Sequence, residues 1–371
     1  MTGTRGVDTP LDVLFISNMY PSEADPAVGI FVRRQAEALS RTGAIVRRVV
    51  NRDQRKGIVF ALGKYPVLLV KAAVAGLRGA DVVVAHYLYP TAIIARITAA
   101  IARCPYVLVA HGTDVGSVAR GGAVARSARS AVTRAALVVC VSNALESRLV
   151  NELELPPGVQ TAVVHMGVDL AVFKPNNAAR AQLGWSTDER IVLFVGNPIE
   201  AKGIDVLLEA TASLLRSGAI DRLDIVGHHP LNSGPMALAS ELGVADRVAF
   251  SGRGPAEDIA LRMSAADVFV LPSRVEGLGM VLLEAMACGT PCVGSRVGGI
   301  PEALPAPRCG RLVEPDDPGA LAAAISEVLD IGKPSFSNAC IEAASAQGTD
   351  AQAARFLEHV RRALSDPPPE G

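Results

Sequence analysis

The sequence predicts an α/β protein of two doubly wound units, each a parallel sheet covered by helices. Three observations predict it. At 371 residues the chain is longer than one hydrophobic core usually organises. Half of the residues are hydrophobic and 20% charged, while aromatics reach only 4%, a balance that favours helices packed closely on parallel sheets over a β-sandwich. Finally, short apolar runs alternate with helically spaced segments in two series, separated by a stretch rich in Pro and Gly. One long open sheet is the alternative, and it would need an unusually high strand count.

The first strand is read at 12–17 (DVLFIS), ending in the turn-rich stretch 18–29. Helical spacing starts near Phe31 and stops at Gly43, a suitable C-terminal glycine. Further strands follow at 44–50, 82–85, 106–110 and 137–141, with helical segments between them. Around 156–175 the pattern loosens into a hinge carrying one strand, 162–165. The second series has strands at 191–195, 223–226, 248–250, 268–271 and 291–293, and helices at 203–216, 258–265 and 281–287. An amphipathic helix at 350–364 precedes a disordered DPPPEG tail. The implied domains are 1–172 together with helix 350–365, then 173–349, then the tail 366–371. Such sheets bind ligands at the carboxyl ends of their strands, so a shared cleft is expected there.

No apolar run reaches the roughly 18 residues of a membrane span, because Lys71 and Arg96 interrupt the best candidates. Residues 1–10 are polar and lack the apolar core of a signal peptide, which places the protein on the cytoplasmic side as an expectation. Six cysteines show no metal-ligand spacing and mostly sit in apolar strings, so they read as reduced packing residues. Net charge is −1 but uneven: residues 1–165 hold 19 Lys/Arg against 11 Asp/Glu, net +8, leaving −9 for the rest. A basic first half suits an anionic membrane surface or a phosphate-bearing acceptor. Nucleic acid is not indicated, since no basic run is interleaved with aromatics.

The most informative stretch is 272–302, PSRVEGLGMVLLEAMACGTPCVGSRVGGIPE. Its strand leads through Gly277 and Gly279 into a helix starting near Met280, whose free N–H groups and positive dipole end suit an anion. Glu284, about five residues into that helix, lies within reach of ribose hydroxyls while a pyrophosphate rests on the helix end. Glu276, just before the helix, is placed for sugar hydroxyls. Both also read as plain solvated charges. For Glu284, however, the flanking Leu282, Leu283, Ala285, Met286 and Ala287 make an unpaired carboxylate costly.

This stretch resembles the signature of the retaining glycosyltransferases of family four, which have the GT-B fold and two glutamates separated by seven residues. Gly289, Thr290, Pro291 and the pair Gly298–Gly299 continue the pattern, and the resemblance covers nearly the whole chain. It implies two Rossmann-like domains facing a central cleft, with the C-terminal helix crossing back to the first. It also implies donor contacts from Leu278, Gly279, Met280 and Val281 beside Glu276 and Glu284.

In the family a Lys from the first loop of the second domain grips the donor pyrophosphate. In GNPIEAKGID (196–205) this role falls to Lys202. The usual Arg of that loop is replaced by Asn197, which leaves the donor site one phosphate charge short, so that either a neighbour such as Arg253 compensates or donor affinity is lower. Arg253 stands where the family contacts the base, and reads equally as a surface arginine. His228 and His229 depart from the family pattern; adjacent residues at a strand end point apart, and no third ligand accompanies them.

Residues 18–35 resemble the family's first loop. Gly29 opens the following helix toward the donor pyrophosphate, and Tyr20 and Arg33 fall on the acceptor side. Arg33 and Arg34 are one step apart and do not share a face. In AHGTD (110–114), His111 matches the histidine that touches the donor sugar, and Asp114 is assigned to the acceptor. His86, in AHYLYP, is assigned to the acceptor pocket. Ser142 reads as a helix cap, and residues 165–169 match the hinge, with Met166 where the family has Asn. The region 117–134, with Arg120, Arg126, Arg129 and Arg134, resembles segments that lie on membranes, or is an ordinary solvated face.

The resemblance implies a hexosyltransferase (class EC 2.4) that uses a UDP- or GDP-sugar with retention, by a metal-independent front-face displacement. The acceptor is a glycan, a lipid-linked glycan or a small molecule of cell-envelope polysaccharide synthesis. His111, Glu276 and Lys202 are the catalytic assignments. No cofactor and no metal are expected, since no Asp-x-Asp cluster is present. A GT-B nucleotide-sugar epimerase and a non-catalytic binding homologue compete, the latter favoured by Asn197. A nicotinamide oxidoreductase lacks its G-x-G-x-x-G after the first strand.

Overall fold

The computed structural model describes residues 9–23, 25, 28–53, 58–119, 122–228 and 234–365. The tail 366–371, the first eight residues, Arg120 and His229 lie outside the described residues. The chain divides into two compact units, one running to Gly167 and resuming at Thr349, the other Val168–Gly348.

The first unit is a parallel six-stranded sheet of β1 (Leu11–Ser17), β2 (Ala44–Val50), β3 (Val82–His86), β4 (Tyr106–Ala110), β5 (Leu137–Cys140) and β6 (Thr161–Val163). Their order is β2-β1-β3-β4-β5-β6, so the winding reverses between β1 and β3. Alternate residues face one core: Val13 and Phe15, Val82 and Val84, Val107 and Val109, Leu137 and Val139. Helix Thr349–Ser365 closes that face through Ala353, Phe356, Leu357, Val360 and Ala363, which share one stripe at helical spacing. Phe356 is fully buried, which contributes about 2–3 kcal/mol relative to exposure. The same helix is tied to helix Ile30–Arg41 by the Arg41–Asp350 ion pair at 2.6 Å.

The second unit is also a parallel six-stranded sheet: β7 (Ile191–Val195), β8 (Arg222–Val226), β9 (Val248–Phe250), β10 (Val268–Leu271), β11 (Cys292–Ser295) and β12 (Gly310–Val313). The order β12-β11-β10-β7-β8-β9 is doubly wound, with its reversal between β7 and β10. Val168 N–H donates to the Gln347 carbonyl at 2.9 Å, so the entering and leaving segments of this unit lie side by side.

Two parallel α/β sheets bear out the fold class. The reading from sequence omits β12 and the helices Pro318–Ile331 and Lys333–Ser345. It also runs the basic region 117–134 as one segment, whereas the chain forms helices Thr113–Ala119 and Ala123–Thr133, broken at Gly122 with φ +94°. Strand 162–165 is shorter than expected and starts at Thr161. Ser142 does cap its helix, accepting the Leu145 N–H at 3.1 Å. All six cysteines are free, five of them buried.

Candidate functional site

In the second unit the loops that follow β7 and β10 leave neighbouring strands on either side of the winding reversal, the place where sheets of this kind bind ligands. The β7 loop begins with Gly196 and the exposed Asn197, then forms a 3₁₀ turn, Glu200–Lys202, ending at Gly203 with φ +64°. A Cβ at Gly203 would stand 2.0 Å from the Pro272 carbonyl oxygen, so only glycine lets this loop lie on the β10 loop.

Arg274 clamps the two loops together. Its N–H donates to the Ala201 carbonyl at 3.0 Å, and its guanidinium donates to the Glu200 carbonyl at 2.7 Å. Both oxygens of Asp205 accept from the same guanidinium at 2.7 and 2.8 Å, and Asp316 accepts from its Nε at 2.5 Å. This planar, forked donor set is the reason an arginine suits the position. Hydrogen bonding to Asp205, then to Asp316, raises the Arg274 pKa, and the same contact lowers that of Asp205.

With the loops fixed, Lys202 Nζ meets Glu276 Oε2 at 2.5 Å, with both side chains mostly buried. The other oxygen of Glu276 accepts the Gly277 N–H at 3.1 Å. Gly298, at φ +51°, packs directly on the Glu276 carbonyl, where an added Cβ would stand 1.9 Å from the oxygen. Glu276 is thus held from the side-chain and the main-chain ends. Helix Met280–Ala287 starts at Gly279, φ +88°, with no side-chain cap; the Leu282 N–H donates to the Gly279 carbonyl at 2.9 Å. Glu284 is half-buried between Leu283 and Ala285, four residues on from Met280, about 6 Å along the axis. Leu278 is buried, while Met280 and Val281 are half-buried at the helix start. Arg253 and His228 are exposed beyond the carboxyl ends of β9 and β8.

Sequence reasoning picked out Lys202, Glu276 and Glu284 but gave Arg274 no role. Its partners Asp205 and Asp316 are 69 and 42 residues away, so no local spacing announces the clamp.

In the first unit β3 ends at His86, which stands in register with Ser17, the last residue of β1. His86 Nδ1 lies 3.0 Å from His111 Nε2, and the two rings stack at 5.2 Å between centroids. Phe15 packs on His86, while Tyr87 and Phe31 pack on His111. Burial lowers both imidazoles: His111 to about 4, opposed by Asp114, and His86 well below its ordinary value. Gly29, φ +71°, precedes helix Ile30–Arg41 and lies against the Met19 backbone, where a Cβ would approach the carbonyl oxygen to 2.8 Å.

The acceptor assignments fare differently. Tyr20, His86 and Asp114 are at most 4% exposed, so none of the three reaches solvent in this conformation. Asp114 turns inward because its carboxylate accepts the N–H groups of Leu88, His111 and Gly112, at 3.0, 3.1 and 2.8 Å. Tyr20 is packed in the core, its hydroxyl accepting from Arg48 at 3.3 Å. Arg33 is exposed and paired with Glu37 at 2.7 Å. Among the described residues no group of three or more His, Cys, Asp or Glu is arranged to hold a metal ion.

Comparison with known proteins follows the same division. Residues 13–172 match the model described as Glycosyltransferase Family 4, and residues 175–347 match that described as Glycosyl transferases group 1. The D-inositol 3-phosphate glycosyltransferase of Mycolicibacterium smegmatis is 42% identical over 212 residues, 55% of this chain and 48% of that protein. The chain spans about half the length of the curated relatives it matches. Sucrose-phosphate synthase from Thermosynechococcus elongatus has the same fold, with a TM-score of 0.79 at 24% identity over 96% of this chain and 100% of that one. Anabaena HepE, solved in complex with UDP, gives 0.73 at 22% identity over 95% and 100%. Two family models that together run from residue 13 to residue 347, on two doubly wound sheets, identify this chain as a member of the family-four, group 1 glycosyltransferases.

Proposed function

We propose that the chain is a retaining hexosyltransferase that takes its sugar from a nucleotide diphosphate without a metal ion. The observation that carries the reading is the Lys202–Glu276 pair, held by Arg274 beside the uncapped start of helix Met280–Ala287. A diphosphate seated there meets a lysine ammonium and backbone N–H groups, which supply positive charge where the leaving group develops its negative charge. Glu284 is assigned to the ribose, Glu276 to sugar hydroxyls, Arg253 to the base and His111 to the sugar.

In this reading the bond from the anomeric carbon to the diphosphate oxygen breaks as the acceptor hydroxyl bonds to the same face of that carbon. The departing diphosphate takes the acceptor's proton, so no protein carboxylate is needed as nucleophile. Asn197 leaves the site one cation short of the family pattern, which places more of the phosphate neutralisation on Lys202 and the helix start.

The relatives named as acting on D-inositol 3-phosphate make an inositol phosphate the first small acceptor to test, beside glycan and lipid-linked acceptors. The reading also includes a peripheral contact with an anionic membrane at its cytoplasmic face, supported by helix Ile58–Gly76 and the residues just after it. Val67, Val70, Val74 and Leu77 are each more than half exposed along one side. Lys71 and Arg78 are exposed beside them, and residues 54–80 hold no acidic side chain. An apolar stripe flanked by cations suits a lipid interface. No helix among the described residues is long and apolar enough to cross a membrane.

The decisive experiment is calorimetry with UDP-, GDP- and ADP-sugars in the absence of metal, repeated on Glu284→Ala. Selective binding that the substitution abolishes supports the donor assignment. A folded protein that binds none of them overturns it in favour of a non-catalytic homologue.

A further inference from the structure

The buried His86 and the half-buried His111 of the first unit face each other rather than a carboxylate. Asp114, the acid nearest to His111, directs both oxygens to backbone N–H groups. The walls around the rings are Phe15, Phe31 and Tyr87. The Tyr87 hydroxyl turns away, donating to Met19 Sδ at 3.0 Å.

A neutral imidazole carries one N–H and one bare nitrogen, so a contact between two ring nitrogens requires one to donate and the other to accept. His86 Nε2 is buried with no hydrogen-bond partner among the described residues, and this atom decides between the two arrangements. If His111 donated from Nε2, His86 would accept at Nδ1 and hold its own proton on Nε2, as a buried N–H with nothing to bond. If His86 donates from Nδ1, the atom left alone is a lone pair. Orphaned buried N–H groups are rarer than under-satisfied acceptors, because an unbonded donor loses its full hydration energy.

We propose that His86 is the positioning residue of His111: its Nδ1–H donates to His111 Nε2 and holds His111 in the Nδ1–H tautomer. His111 then presents an N–H donor, not a lone pair, on the edge of its ring away from His86. That edge suits a hydroxyl or other oxygen as partner. The statement about the ligand rests on the assignment of His111 to the sugar; the tautomer itself does not. The role also explains why β3 ends in a histidine that solvent does not reach.

The test is ¹⁵N NMR of the histidine-labelled, ligand-free protein at neutral pH. Both rings should show a protonated Nδ1 and a bare Nε2, with a through-hydrogen-bond ¹⁵N–¹⁵N coupling from His86 Nδ1 to His111 Nε2. In His86→Phe, His111 should shift toward the Nε2–H form that a free histidine prefers in water. A wild-type His111 protonated on Nε2, or the absence of coupling between the rings, overturns the proposal without recourse to the variant. If the tautomer is found and no nucleotide sugar binds, the donor assignment fails while the positioning role stands.

Discussion

Lys202 and Glu276 are 74 residues apart in the chain and 2.5 Å apart in space. Local hydrogen bonds, Lys202 N–H to the Ile199 carbonyl and Gly277 N–H to Glu276, shape each loop but do not join the two. The contact follows from Gly203 lying on Pro272 and from Arg274 binding the Glu200 carbonyl and Asp205, which together fix both loops at the winding reversal of the second sheet.

Lys202→Ala should lower affinity for nucleotide diphosphates about 10–100-fold, the worth of one or two charge-assisted hydrogen bonds. Stability should change by no more than about 1 kcal/mol, as for other partly exposed pairs. Calorimetry with the donor found in the panel, alongside urea unfolding, separates the two effects. An unchanged affinity would make Lys202 a structural partner of Glu276 only.

Arg274→Ala should cost about 1–3 kcal/mol of stability, because Asp205, Asp316 and the Glu200 carbonyl all lose the guanidinium donor, although the Glu200 carbonyl keeps the Gly203 N–H. Donor affinity should fall as well, although Arg274 is assigned no contact with the donor. Arg274→Lys should recover little of either, since an ammonium cannot bond Asp205 through two parallel N–H groups while also reaching Asp316. Equal behaviour of lysine and arginine in both assays would refute the clamp.

Gly298→Ala places a methyl group on the Glu276 carbonyl and forces a positive φ on a residue with a Cβ. The expected loss is about 2–4 kcal/mol of unfolding free energy, with transfer activity falling further than the folded fraction does. Thermal unfolding and initial rates on the same preparation give both numbers.

The histidine pair makes stability depend on pH in a direction that can be stated. Burial holds His111 at about 4 against an ordinary 6.5, and His86 also below its ordinary value, so the unfolded chain takes up protons first as pH falls. The contribution is complete above about pH 6.5 and is lost toward pH 4, with His111 alone worth about 3 kcal/mol at most. His86→Phe should flatten the wild-type loss between pH 7 and pH 5 in urea titrations. An unaltered slope would mean that the pair is not the source.

Replacing Val70 and Val74 by Glu puts two anions on the exposed stripe of helix Ile58–Gly76 without touching its buried side. Flotation with vesicles containing anionic lipid should then fall to the level seen with neutral vesicles, while donor binding is retained. Wild-type protein that stays with the soluble fraction on anionic vesicles would remove the membrane contact from the proposed function.

The sheets were legible because their signals are local. Runs such as 12–17, 106–110 and 268–271 read directly as buried parallel strands, and Gly29, Gly43 and Ser142 mark helix ends through their own backbone or side-chain chemistry. The final strand and the two helices after it were not read. Gly310–Val313 contains an arginine and only two large apolar residues, and helix Lys333–Ser345 has no sharp apolar face.

The sequence by itself therefore determined the α/β class and the lysine and two glutamates that carry the donor reading. Hydrophobic period, turn chemistry and the spacing from Glu276 to Glu284 all act within a few turns of chain. Tertiary structure alone decided what each polar group faces. It gave Asp114 to three backbone N–H groups, joined His86 to His111, and made Arg274 the clamp of Asp205 and Asp316. Those choices depend on which strands become neighbours. Strand order follows from burying two whole sheets at once, not from any residue's local surroundings.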